Sequence, residues 1–122
     1  IVAPGFGVPH PRNYGSFARV LGHFVRERGL LSLPTAIYKK TRMPADRIGL
    51  SNRGRIEAGA YADISVFDPA TIIDKATFED PHQYAEGVYH VFVNGVPALI
   101  NGDMTGERPG RVLRSGAARE SE

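Results

Sequence analysis

The sequence predicts an α+β fold, with helices first and a small antiparallel sheet after them. Three observations carry that reading. Phe17, Val20, Leu21, Phe24 and Val25 recur at i, i+3, i+4, i+7 and i+8, one apolar stripe of a helix. After residue 50 the apolar period falls to two. Finally, Asn94-Gly95 lies between Val91-Phe92-Val93 and Val96-Pro97-Ala98-Leu99, the strongest short hairpin signal there is.

The elements follow in order. Ser16 is placed to cap a helix running to Arg28, and Gly29 to end it. Ser32 can cap a second helix to about Arg42, with Leu33, Ala36, Ile37 and Lys40 on one face. Pro44 breaks that helix and can open a helical turn through Ile48, closed by Gly49. Strands are predicted near 54–57, 61–67, 71–73, 88–93 and 96–100. In the second of these, Ala62, Ile64 and Val66 fall on one face and Asp63, Ser65 and Phe67 on the other. Asp68-Pro69 stops it, because proline has no N–H for a ladder. Pro97 confines its strand to an edge, or to a position that needs no N–H. Asn101-Gly102 supplies another turn, and 115–122 is polar and aperiodic, hence a disordered tail.

A chain of 122 residues, 42% hydrophobic, is one domain at most with a modest core. It contains no Cys, which excludes a disulfide framework, a thiolate zinc cluster and a thiol nucleophile. No apolar run approaches the ~20 residues of a membrane span, and the N-terminus lacks the regions of a signal peptide. A soluble, cytoplasmic protein is expected, and the start at Ile1 rather than Met points to a processed or truncated product. The net charge of +2 conceals +8 over residues 1–55 and −6 over 56–122. The basic residues are interleaved with core positions and lack an aromatic stacking platform, so mutual attraction of the halves, or a solvated basic face, is expected rather than nucleic-acid binding.

Catalytic residues cannot be nominated from spacing. The four histidines, His10, His23, His82 and His90, form no i, i+4 pair and no H-x-H, so no metal site is expected in this chain. His90 falls in a strand pattern and suits a hydrogen-bonded structural role, His23 lies off the apolar stripe, and His82 falls in a loop. Asp63 and Asp68 flank a strand, where edge and turn roles account for both. The one candidate is His10-Pro11-Arg12. Proline fixes its own φ and restricts its neighbour, so Arg12 is presented from a stiffened turn. A guanidinium so mounted suits two-pronged capture of a carboxylate, and the competing role is pairing with a local acid.

The run Arg53 to Pro69 contains Gly54, Ile56, Gly59, Ala62, Asp63, Ile64, Val66 and Asp68. It resembles the segment with which the amidohydrolase superfamily leaves its catalytic (β/α) barrel and re-enters a small β domain. Further runs are similar to the N-acyl-D-amino-acid deacylases (D-aminoacylases) within it. They are His10-Pro11-Arg12, Phe17 to Gly22, Phe78-Glu79-Asp80-Pro81-His82-Gln83-Tyr84, and Gly106 to Leu113. The likeness covers roughly Pro9 to Arg114 and only the C-terminal end of such an enzyme.

The resemblance implies that 1–50 corresponds to the end of the barrel and 51–114 to the small β domain. It implies a parent that hydrolyses N-acyl-D-amino acids to a D-amino acid and a carboxylate, with zinc polarising the carbonyl and supplying hydroxide. It maps one role onto this chain: Arg12 holds the substrate α-carboxylate. The family's H-x-H, bridging Cys, later His pair and metal-proximal Asp have no counterpart here, so the isolated chain is expected to be inactive. The partners implied are the rest of the amidohydrolase or further copies of this chain, a homo-oligomer closing the open sheet edge. A free-standing binding or assembly module derived from the family is the alternative.

Overall fold

The structure is a computed structural model and describes residues 5–114. Its order is α1 (Arg12–Arg19), a π-helical continuation (Val20–Glu27), α2 (Leu33–Lys40), α3 (Arg42–Arg47), β1 (Ile64–Phe67), β2 (Val88–Val93), β3 (Val96–Ile100) and β4 (Asp103–Met104). The strands form one sheet in the order β1-β2-β3-β4, with β2-β3 and β3-β4 antiparallel. The predicted α+β class is thus the observed one. The expected tail at 115–122 lies outside the described residues.

The chain divides into two compact units, Ile1–Leu33 with Phe67–Val88, and Pro34–Val66 with Tyr89–Glu122. In the first, the helix starts at Arg12 and not after Ser16. Pro11 is already helical at φ −49°, and its carbonyl accepts from the N–H groups of Tyr14 and Gly15 at 3.1 and 3.2 Å. Ser16 caps nothing; its hydroxyl donates back to Arg12 O at 2.9 Å. Beyond Arg19 the helix widens to i−5 bonding, as from Arg28 N–H to His23 O at 3.0 Å, until Gly29 ends it at φ +58°. The buried face is Gly15, Ala18, Leu21 and Gly22, not the full predicted stripe, and Phe17 is 76% exposed. Close approach explains this. A Cβ on Gly15 would lie 2.5 Å from Asp74 Cβ, and one on Gly22 2.5 Å from Ile72 O. Segment 72–74 selects the smallest side chains, and Ile72 and Ala76 complete the core. The strand expected at 71–73 reduces to a single bridge, Ile73 to Glu86.

In the second unit α2 ends at Lys40, and Thr41, not Pro44, is the break. Pro44 instead sits in the first turn of α3, where its missing N–H costs nothing, and Gly49 closes the turn at φ +78°. Ala36 and Ala45 are the buried apolar residues here. Burial lowers the pKa of Lys40 from its ordinary value. The strand expected at 54–57 is absent, because Gly54 at φ +72° and Gly59 at φ +87° turn the chain instead. β1 begins at Ile64, and both Ser65 and Val66 are exposed, so the predicted alternation fails on this short edge strand. The hairpin stands as predicted: Asn94 (φ +51°) and Gly95 (φ +80°) make the turn between β2 and β3. Pro97 is tolerated in an inner strand because the register slips there, pairing Phe92 with Pro97 and leaving Ala98 as a bulge. Asn101-Gly102 turns the chain into β4, a strand the sequence reading had not placed.

Candidate functional site

The segment 5–12 is built by two left-handed glycines and a proline turn. Gly5 (φ +83°) and Gly7 (φ +65°) bend the chain around Phe6, and Pro9 is buried. His10 then turns back on itself, its Nδ1 accepting from the Arg12 N–H at 3.1 Å. Its ring meets Phe78 edge-on at 5.0 Å. Arg12 opens α1 one turn before Ser16.

Of this segment, His10, Pro11 and Arg12 line an open cleft of about 380 Å³ within the first unit, together with Arg19, Asp74, Thr77, Phe78 and Glu79. That volume is in the range of small-molecule sites. Its two cations differ. Arg19 is neutralised by Asp74, Nη1 to Oδ2 at 3.1 Å. The Arg12 guanidinium makes no hydrogen bond or ion pair with any described residue; only its backbone is engaged. The cleft therefore offers one uncommitted, exposed guanidinium beside an apolar ring, an arrangement able to take up a carboxylate. Among the described residues no three His, Cys, Asp or Glu come together to hold a metal ion. The described residues therefore offer zinc no site, and no chemical step is routed through one.

His82, which carried no signal as a loop residue, is the hub of the segment. Its Nδ1 faces Tyr14 Oη at 2.9 Å and the Gly5 N–H at 3.3 Å, and its Nε2 faces Gly7 O at 2.9 Å. Tyr14 stacks edge-on against both His82 and Tyr84, at 5.6 and 5.5 Å. The run Phe78 to Tyr84 thus supplies part of the cleft wall, through Phe78 and Glu79, and the anchor of the chain on either side of Arg12, through His82. Its likeness to a family motif was the one signal that could have marked it.

The other histidines bridge local structure. His90 Nδ1 accepts from the Asn101 N–H at 3.2 Å, and His23 pairs with Glu27 at 2.8 Å. In the second unit Asp63 does more than end a strand. It pairs with Arg53 and accepts from the Asn94 N–H at 2.8 Å, while Arg53 also donates to Asn94 Oδ1 at 2.6 Å. Asn94 in turn donates to Pro109 O at 2.6 Å, and the Arg53 guanidinium lies over the Tyr61 ring at 4.2 Å. Asp68 keeps the turn role read for it, accepting from the Ala70 N–H at 2.8 Å. No helix of the described residues is long and apolar enough to cross a membrane.

Comparison with known proteins agrees with the motifs. Residues 5–98 match the model of the Amidohydrolase family. The chain is 51% identical over 110 residues to a D-aminoacylase of Alcaligenes xylosoxydans xylosoxydans, covering 90% of this chain and 23% of that enzyme. A crystal structure of D-aminoacylase superposes with a TM-score of 0.85 at 48% identity, over 88% of this chain and 23% of that one. The N-acyl-D-glutamate deacylase of Bordetella bronchiseptica, solved with zinc and a phosphonate mimic of the tetrahedral intermediate, gives 0.80 at 44% identity, over 88% of this chain and 22% of that one. The chain spans less than a quarter of the length of the relatives it matches. The run from Gly54 to Asp68 and the motifs around it were thus a true likeness to the D-aminoacylases, and this chain belongs to the amidohydrolase family.

Proposed function

We propose that this chain forms the C-terminal part of a metal-dependent amidohydrolase that cleaves N-acyl-D-amino acids to a D-amino acid and a carboxylate. Within it, Arg12 receives the substrate α-carboxylate. The observation that carries this is the uncommitted guanidinium of Arg12, held on the His10-Pro11 turn in a cleft whose other cation is already paired. Two parallel N–H···O bonds would fix the carboxylate's plane, and the bond to be cleaved with it. The edge-on pair of His10 and Phe78 forms the apolar side of that cleft. The metal ligands come from other parts of the enzyme, since no three His, Cys, Asp or Glu among the described residues come together to hold one. By itself this chain should not turn over substrate. A binding or assembly module derived from the same family is the second reading, favoured by the open edge of β1.

The test is kinetic and uses a chimera in which this chain replaces the matching stretch of the Alcaligenes xylosoxydans xylosoxydans D-aminoacylase. Arg12→Ala should raise KM by roughly one to two orders of magnitude with kcat little changed, the pattern of lost uniform binding. An unchanged KM would contradict the assignment. The same substitution should have no effect on the α-amide of the substrate, which gives the guanidinium no anion to hold.

A further inference from the structure

The partners of His82 select its tautomer. Gly7 O can only accept, so Nε2 must carry a proton; the Gly5 N–H can only donate, so Nδ1 must be bare. Tyr14 Oη then donates to the same Nδ1. All three contacts fit one tautomer, the ring with its proton on Nε2 and the Nδ1 lone pair shared between Tyr14 and Gly5. Their placement along the chain is equally specific. Gly7 precedes Arg12 by five residues and Tyr14 follows it by two, so one ring grips the chain on both sides of the guanidinium. The segment in between needs such a grip, since Gly5 and Gly7 hold positive φ and lend the backbone no stiffness of their own.

We propose that His82 is the positioning residue for Arg12, clamping residues 7–14 so that the guanidinium is held where a substrate carboxylate arrives. The ring does not line the cleft and acts through the loop. This rests on the reading of Arg12 as the carboxylate-binding residue, and a displacement of about 1 Å in such a group is enough to weaken its work by up to a hundredfold.

The experiment uses the chimeric deacylase with Arg12→Ala, His82→Phe and His82→Gln. His82→Phe keeps the ring shape and loses all three polar contacts; His82→Gln can still donate to Gly7 O. For an N-acyl-D-amino acid, His82→Phe should raise KM roughly tenfold, with kcat within about twofold and partial recovery in His82→Gln. For the matching α-amide, KM should not move. A rise of equal size on both substrates, or none on the acid, overturns the proposal. If Arg12→Ala leaves KM unchanged, the carboxylate reading itself has failed. If Arg12→Ala raises KM and His82→Phe does not, only the role of His82 has failed. A second measurement needs no activity: nitrogen NMR of the imidazoles in this chain near neutral pH. The expected signature is the Nε2–H tautomer for the neutral ring of His82, and the Nδ1–H tautomer overturns the clamp.

Discussion

At the scale of single residues, the second unit is organised by a buried cation. Arg53 is only 8% exposed and has Asp63, Asn94 Oδ1 and the face of Tyr61 as its partners. Removing one partner of a buried ion pair leaves an uncompensated charge, which costs several times the worth of a surface pair. Asp63→Ala should therefore destabilise by roughly 3 kcal/mol, the lower end of that range because the Asp63 side chain keeps 33% of its exposure. Urea unfolding decides it, and a loss below about 0.5 kcal/mol would place the pair among ordinary surface bridges. Little of this was legible beforehand. Asp63 was marked by a motif, but its partners lie ten residues back and 31 ahead, and no local pattern encodes such distances. The turn that carries Arg12 was legible for the opposite reason: Pro11 fixes its own φ and restricts His10, so that turn is a local property. His82 was not, because all it grips lies about 70 residues away.

Elements repeat that contrast. Turns that a dipeptide dictates came out as read: Asn94-Gly95 and Asn101-Gly102 both adopt positive φ, as do Gly29 and Gly49 at helix ends. Nothing lies within 4 Å of a Cβ built on Gly95, so Gly95→Val would be opposed by backbone strain alone. A cost on the order of 1–3 kcal/mol is predicted, and a variant as stable as the wild type in urea would show a turn of another kind. Gly22 makes the opposite test. In an open helix Gly→Ala gains up to about 1 kcal/mol from propensity. Here the added Cβ would meet Ile72 O at 2.5 Å and Ile73 Cδ1 at 2.6 Å, and backbone cannot step aside cheaply. Gly22→Ala should cost about 1–3 kcal/mol by overpacking, and any stabilisation would mean the helix and segment 72–74 are further apart than they lie here. The helix's buried face was misread for the same reason. Periodicity sees the large apolar residues and is blind to a neighbour that demands small ones. The short β1 at the sheet's edge likewise departs from strict alternation, with the adjacent Ser65 and Val66 both exposed.

For the molecule as a whole, the striped charge of the sequence resolves into pairs within each unit, Arg19 with Asp74 in one and Arg53 with Asp63 in the other. Apolar side chains remain outside. Phe6 and Phe17 in the first unit and Ile56 and Val112 in the second are each more than two-thirds exposed. Association, through these residues or the edge of β1, is predicted for the chain alone. Light scattering at high micromolar concentration should give a mass above that of the monomer, and a monomer mass would contradict it. The family was legible because its motifs are strings of glycines, aspartates and prolines that the backbone requires locally, and they persist in a chain under a quarter of its relatives' length. The chemistry was not, since the described residues do not assemble a metal site. The most direct measurement of the central claim is hydrolysis by the zinc-loaded chimera that carries this chain within the Alcaligenes D-aminoacylase. Cleavage of an N-acyl-D-amino acid, with its L-enantiomer untouched and the activity lost on Arg12→Ala at low substrate, is the result predicted. A folded, zinc-bound chimera that cleaves neither enantiomer would contradict it.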